Sequence, residues 1–454
     1  VTLSLGFATH LTNFLNSLSI PVFPNNKSSE ESAQRVWQLL GHLEGSDGVI
    51  MEPINSTSSK QSVDSLYIKN FSIKDAPSTK PPFPTQHGID SGILDPITLL
   101  DGQVLSLSRA VMAVEPTTNS NKHLHSINTI AICHHTPHSL SPKEHNFTDD
   151  FNNRWISAPI SSIPTSVDIS ISNLQNEANA VYESSLYLSE STHALNWFDS
   201  VKHILILDGP IFPVGLLIWS NSNLRSLLEN EGPSQMALTN YIELIHQSIT
   251  KLSQENTSQI PLIGFVKNPA EKTIKYSING TESGPVDMGS IEFPWPTDAL
   301  FFKQLLSSNN SSNNKSEPEK NTLSYTNWFI SKNSLNRKFI GRIKDQDLTP
   351  SLKKENLDLY NLTFFMIYDP RLDIVYRVET PYAFSISPTL REKIETFVLR
   401  EIAIHNGPPR SIIKADHLAR LSKTDRLLLR RLLANSFGSR IDVNYNSYRW
   451  GWSK

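Results

Sequence analysis

The chain has 454 residues and a mass of 51.0 kDa, enough for one large domain with additions or for two to three domains with a sizeable core. A net charge of −3 and a pI of about 6.6 exclude a general polycation, so any nucleic-acid binding needs a local basic surface. The single cysteine, Cys133, excludes an internal disulfide framework and a Cys-rich zinc module; with no basic-then-apolar leader and no apolar run of about 18 residues, the expectation is a soluble, cytoplasmic protein without membrane contact.

Apolar positions recur every three to four residues from Gln34 to Leu43, which predicts a helical N-terminal extension. Asn55 to Pro84 is rich in Ser, Lys, Asp and Pro and predicts a loop, so residues 1–83 form extension and loop. A short strand is predicted at His87–Gly92, ending in Asp90 with a small residue and a glycine. Gln103–Val114 and Ser126–Cys133 alternate as second and third strands, a β-meander that opens a mixed sheet. Irregular structure is expected to about Asp168, followed by a helix from about Leu174 to Phe198 carrying Glu177, Glu183 and Glu190.

That helix leads into Ile204-Leu205-Ile206-Leu207, four large aliphatics bounded by turn residues. Such a run reads as a strand buried on both faces. It ends in a carboxylate, Asp208, and Gly209-Pro210 turn the backbone at once. Then come a helix (about Ser234–Gln254), a buried strand (Pro261–Val266) leading to Lys267, and a helix at Asp298–Leu306. The polar stretch Ser307–Lys320 has nothing to bury and predicts a disordered insertion over about 307–323. A hairpin (Leu362–Tyr368 with Asp373–Val378) and helices at about Thr389–Ile404 and Arg410–Ser436 complete an α/β domain over 84–436, before a tail at 437–454.

Asp90 and Asp208 both fall at predicted strand ends, followed by glycine-containing turns. Hard cations such as Mg²⁺ and Mn²⁺ take oxygen ligands and share them with phosphate, and two such ions about 3.5–4 Å apart activate water and stabilise a leaving oxygen in phosphodiester hydrolysis. Asp208 by itself is more often a turn residue, and Asp101, which precedes a strand, competes with Asp90. On the preceding helix Glu183 and Glu190 share a face, with Glu177 rotated away. Lys267 leaves a buried strand, where its ammonium meets either a phosphate, a carboxylate or solvent. Arg377 and Glu379 alternate on one strand face and pair structurally.

Two other features carry less. His123, His125, His134, His135, His138 and His145 crowd round Cys133, but their spacings fit no standard zinc module. The stretch His417–Arg431 mixes Leu with Arg420, Lys423, Arg426, Arg430 and Arg431. It suits a phosphate backbone, a solvated helix face or a dimer contact.

The order of these pieces resembles the NurA family of archaeal DNA-end-processing nucleases: a strand ending in Asp90, a helical glutamate, Ile-Leu-Ile-Leu-Asp208-Gly-Pro-Ile-Phe-Pro, Leu-Ile-Gly-Phe-Val-Lys267-Asn-Pro, and Tyr-Arg-Val-Glu379-Thr-Pro. The similarity spans about His87 to Ser422, and Thr-Gln-His-Gly-Ile-Asp90-Ser-Gly and Leu-Tyr-Leu-Ser-Glu190-Ser-Thr-His-Ala-Leu resemble one archaeal branch. The resemblance implies an RNase H-like fold, a Mn²⁺-dependent (or Mg²⁺-dependent) single-strand endonuclease and 5′–3′ exonuclease acting in double-strand break end resection, a homodimer, and partnership with a hexameric HerA-type ATPase. It implies Asp90, Glu190 and Asp208 as metal ligands, with Lys267 assisting on phosphate; Asp416, an oxygen donor where the family has a histidine, is the expected fourth carboxylate, and Lys414, Arg420 and Lys423 are the expected DNA contacts. The separation of Glu190 from Asp208 (208 − 190 = 18) is close to the family's and favours Glu190 over Glu183. The sequence departs from the family where Pro408 and Asp416 stand at the positions of a tyrosine and a histidine. Two rival readings follow: a catalytically degenerate adaptor that docks on the ATPase ring and guides DNA, and an RNase H-like enzyme acting on RNA or junctions.

Overall fold

The computed structural model describes residues 27–42, 51–53, 66–98, 104–117, 125–134, 143–145, 153–161, 171–213, 233–252, 260–267, 269–270, 272, 274, 293–311, 321–331 and 354–437. The first elements are α1 (Lys27–His42), β1 (Met51–Pro53) and β2 (Ile68–Ser72). A meander follows, β3 (Gln86–Thr98), β4 (Val104–Glu115) and β5 (His125–His134), with antiparallel partners such as Ile89 with Met112 and Leu107 with Ile130. Next come β6 (Lys143–His145), β7 (Asn153–Ser161), α2 (Ile171–Trp197), β8 (Ile204–Asp208), α3 (Pro233–Leu252) and β9 (Leu262–Lys267). The remainder is α4 (Asp298–Ser311), β10 (Thr322–Thr326), β11 (Phe329–Ser331), β12 (Leu362–Asp369), β13 (Ile374–Pro381), the one-turn α5 (Tyr382–Ser385), α6 (Pro388–His405), α7 (Arg410–Ala419) and α8 (Lys423–Phe437).

All thirteen described strands join one sheet, in the order β1-β11-β12-β13-β9-β8-β3-β4-β5-β7-β6, with β10 on β12 and β2 on β10. At its centre the order is β5-β4-β3-β8-β9. β8 runs parallel to β3 (Leu207 beside Ile89), and β9 runs parallel to β8 (Gly264 beside Leu207). A three-strand meander followed by two parallel strands reached through helices α2 and α3 is the RNase H-like arrangement, so the expected mixed sheet flanked by helices is what forms. Ile204, Leu205 and Ile206 are wholly buried, as a central parallel strand covered on both faces requires.

Which helix covers which face follows from the pleat, since alternate residues of a strand point to opposite faces. On β3, Gly88, Asp90 and Gly92 point one way, towards α7. A Cβ on Gly88 would stand 2.6 Å from the Ser411 carbonyl carbon, and one on Gly92 would collide with the Ala419 carbonyl. Ser91 points the other way, towards α2, where Ser108 on the neighbouring strand donates to the Ser185 carbonyl at 2.7 Å. We call the α7 side the front and the α2–α3 side the back.

Four local expectations change. β3 does not stop at Asp90: it stays paired with β4 to Thr98, through a bulge between Leu94 and Ile97, so Asp90 is a mid-strand residue lying beside the end of β8. The stretch expected as irregular before Asp168 supplies β7, which pairs in parallel with β5, and β6 on the sheet edge. α4 continues past Leu306 to Ser311, because Leu305 and Leu306 are buried and Ser307 and Ser308 fold their hydroxyls back onto the Gln304 and Leu305 carbonyls; β10 begins at Thr322, and residues 312–320 of the expected insertion lie outside the described residues. Finally, the expected helix over Arg410–Ser436 breaks at Arg420, whose backbone is extended. Ser422 and Asp425 then start α8 by exchanging hydrogen bonds, Asp425 N–H to Ser422 Oγ at 3.1 Å and Ser422 N–H to Asp425 Oδ2 at 3.0 Å.

The first 83 residues do more than extend the domain. β1 pairs with β11 and β2 with β10, and α1 sets Trp37 edge-on to Phe302 and Phe329 at 6.3 and 5.8 Å in a second apolar cluster beside the main core. Among the described residues no helix is long and apolar enough to cross a membrane.

Candidate active site at the end of the parallel strands

Three aspartates from three elements meet on the front. The β3–β8 register sets Ile89 beside Leu207, so the next residues, Asp90 and Asp208, lie side by side on the opposite face from that pair. Asp416 comes down from α7, whose close approach is possible because residues 88 and 92 have no side chain. Its charge acts on both Asp90 and Asp208. Lys267, at the end of β9, points to the same face and places its Nζ 2.8 Å from Asp208 Oδ2. The Lys267 side chain is 40% exposed and that of Asp208 14%, so the ammonium approaches from the solvent side.

Glu190 stands behind the sheet. It is buried, accepting from Ser91 Oγ–H at 2.6 Å on Oε1 and from Tyr241 O–H at 3.0 Å on Oε2. Both oxygens are therefore engaged by donors from the back. Glu183, two turns earlier on α2, is half-buried and acts electrostatically on Tyr187. Asp101 lies outside the described residues, as do the side chains of the six clustered histidines.

Burial and mutual repulsion raise the acids. The Asp90 carboxyl is pushed from 3.8 up to about 7, first by burial and then by Asp208, with Asp416 adding to it and Lys267 opposing. Glu190 is pushed from 4.5 up to about 8, chiefly by burial, against the hydrogen bonds from Ser91 and Tyr241. Asp208 is raised by burial despite Lys267. The folded state therefore holds protons that the unfolded chain has released between about pH 4 and pH 8, and stability must fall as pH rises through that window. In EDTA, thermal melting should move to lower temperature from pH 5 to pH 8, with Asp90→Asn flattening the slope and recovering up to about 4 kcal/mol at pH 8. A melting temperature that is level over this range, in wild type and variant alike, would remove the electrostatic account.

This crowding of carboxylates is what a divalent cation relieves, and the donors are all hard oxygens of the kind Mn²⁺ and Mg²⁺ take. The group fits such an ion in its chemistry. As the side chains stand, no three His, Cys, Asp or Glu among the described residues close around one point.

The turn that follows Asp208 is held from behind. Gly209 has φ 134°, open only to glycine at low cost, and its N–H donates to the Leu207 and Phe265 carbonyls, both at 3.1 Å. The turn lies on Gly264, where a Cβ would come within 2.7 Å of the Gly209 carbonyl oxygen. Ile211 N–H donates to Glu379 Oε2 at 3.0 Å, and Arg377 Nε lies 2.9 Å from Glu379 Oε1. The Arg377–Glu379 pair is thus present, and it is wholly within the protein.

The expected DNA-contacting residues differ among themselves. Lys414 is tied to the end of β4, donating to the Val114 carbonyl at 3.0 Å and to Thr117 Oγ1, with Glu115 Oε2 at 3.9 Å. Arg420 and Lys423 are exposed at the α7–α8 junction, next to Asp416. His417 is exposed on α7, one residue beyond Asp416.

Residues 199–421 match the family model of the NurA domain. The match includes Asp208, Lys267, Glu379 and Asp416 and begins after Asp90 and Glu190. Among solved structures, the NurA nuclease from Sulfolobus solfataricus is similar at 12% identity and TM-score 0.44, covering 97% of this chain and 99% of that one. A NurA structure with manganese is similar at 10% identity and TM-score 0.39, with 81% and 94% covered. One bound to dAMP and manganese is similar at 8% identity and TM-score 0.40, with 78% and 89% covered. No curated protein matches the chain.

Proposed function

We propose that this NurA-domain protein is a metal-dependent DNA nuclease that hydrolyses phosphodiesters with Mn²⁺ or Mg²⁺. The observation that carries the reading is the convergence of Asp90, Asp208 and Asp416 on the front face, each from a different element, with carboxyls crowded enough to repel one another. When bound there, a divalent cation supplies Lewis-acid stabilisation of the phosphate and of the attacking water. Asp90, Asp208 and Asp416 are the residues that would hold the ion or ions. Glu190 lies behind the sheet, held by Ser91 and Tyr241. Lys267, exposed enough to move, would reach a phosphate oxygen in place of Asp208. Arg420 and Lys423 run the phosphate backbone past the site, whereas Lys414 braces α7 against β4.

The finer reading is single-strand endonuclease and 5′–3′ exonuclease action in double-strand break end resection, by a homodimer working with a hexameric HerA-type ATPase. The test is a cleavage assay of the purified protein on single-stranded DNA, duplex ends and RNA, in Mn²⁺, Mg²⁺ or EDTA, with and without the ATPase. Cleavage of single-stranded DNA that requires Mn²⁺ or Mg²⁺ is expected. One observation favours a second reading, a catalytically degenerate adaptor: Pro408 stands at the position of the family's tyrosine and offers no hydroxyl. DNA binding with no cleavage under any of these conditions would select it.

A further inference from the structure

The ion pair Arg377–Glu379 does no visible work in the cleavage chemistry, yet it is among the most deeply buried charge in the molecule, with Arg377 3% and Glu379 0% exposed. A buried ion pair returns little net stability, because both charges give up their hydration, and an apolar pair of similar volume serves a core as well or better. Its contacts therefore need another account. Arg377 stacks its guanidinium over Phe364, 4.1 Å from the ring centroid, and puts Nε 2.9 Å from Glu379 Oε1. The other oxygen of Glu379 takes the Ile211 N–H at 3.0 Å. Glu379 is the β13 residue registered against Gly264, and Gly264 is registered against Leu207, so this carboxylate reaches the turn after Asp208 across a strand that has no side chain in the way.

We propose that Glu379 is a positioning residue. Oriented by Arg377, it clamps the Gly209–Ile211 turn from the back of the sheet and thereby fixes the direction in which Asp208 leaves β8 on the front. The turn is restrained by the left-handed Gly209, by its N–H on the Leu207 and Phe265 carbonyls, by the bare surface of Gly264, and by this hydrogen bond. Among the described residues, only the last is made by a charged side chain and ties the turn to β13. Without it, Asp208 keeps its place in the sequence of the strand but loses the fixed backbone that aims its carboxylate at Asp90 and Asp416. The inference rests on the proposed role of Asp208 in holding a divalent cation.

The experiment compares two double variants that both abolish the ion pair. Arg377→Met with Glu379→Leu removes the clamp and fills the site with apolar volume, whereas Arg377→Met with Glu379→Gln keeps a neutral acceptor for Ile211 N–H. Three properties are read: thermal melting, hydrogen exchange of the Ile211 amide, and Mn²⁺ affinity by electron paramagnetic resonance. The Leu variant should melt no lower than wild type, exchange the Ile211 amide about tenfold faster, and bind Mn²⁺ about 10–100-fold more weakly, the range expected when an orienting partner of a ligand is lost. The Gln variant should restore both readings. Wild-type exchange and wild-type Mn²⁺ affinity in the Leu variant would overturn the proposal. Should that variant fail to fold, Glu379→Asp decides: it keeps the charge and withdraws the acceptor from Ile211, so faster exchange supports the clamp and unchanged exchange refutes it. If the wild-type protein itself binds no Mn²⁺, the nuclease reading falls, and Ile211 exchange still settles whether the clamp exists.

Discussion

Asp208→Ala is expected to lower metal-dependent cleavage of single-stranded DNA by about a hundredfold to a thousandfold, the loss typical when one charge-stabilising group is taken from a site. The fold should survive it. Asp208 is the last residue of β8, it makes no hydrogen bond to the backbone of another element among those described, and its charge is disfavoured by burial and by Asp416. Removing it relieves Asp90 of its strongest charged neighbour. Lys267 loses its partner but is exposed enough to be hydrated. The melting temperature in EDTA at pH 8 should therefore equal or exceed that of wild type while activity disappears, and Asp90→Ala should behave alike. Wild-type cleavage by either variant would end the mechanism, whereas loss of activity together with loss of cooperative melting would mean only that the strand end is structural.

The second large effect is expected at Gly92. Any side chain there drives into the Ala419 carbonyl, the end of α7, and neither backbone can yield without moving the helix. Gly92→Val should cost about 1–3 kcal/mol by overpacking, and because α7 carries Asp416, it should weaken Mn²⁺ binding as well. The measurement is a melting curve with and without Mn²⁺: the variant should lose both melting temperature and most of the Mn²⁺-induced rise. A variant with the wild-type rise would show that the placement of α7 does not matter to the site. Gly88, which faces Ser411 one turn from the other end of the same helix, should behave similarly.

Much of the centre of this molecule is written locally. Four aliphatics ending in Asp208-Gly209-Pro210 announce a buried strand and its exit, and the same holds for β9 and for the β12–β13 hairpin. The meander also reads directly from alternation. What local pattern cannot convey is which face a residue takes. Glu190 and Asp90 belong together by sequence resemblance, yet one lies behind the sheet and the other before it, a matter of pleat and of which helix crosses where. Tyr241, the partner that holds Glu190, sits in an ordinary amphipathic stretch 51 positions away and gives no signal of its own. The bond between Ile211 and Glu379 closes over 168 positions, beyond any periodicity. Pro159 and the polar residues around it hide β7, whereas the Ser422-x-x-Asp425 box that divides α7 from α8 is a local signal.

The pairing of the first strands with the last ones also bears on how the molecule is made. Met51 finds its partner in Ser331, and Ile68 its partner in Thr326. A ribosome adds about 5–20 residues per second, so β1 waits on the order of 10 to 60 s for its neighbour to emerge. During that interval Trp37 and the two early strands have no surface to settle on, and the open backbone of both strands is available to other chains. The nuclease-like centre can assemble only as the last third of the chain arrives, when β13, α6 and α7 close on strands made long before. A newly made copy therefore spends most of its synthesis without a finished acidic cluster, and an N-terminal deletion would leave the β10 and β11 edges bare for the life of the protein.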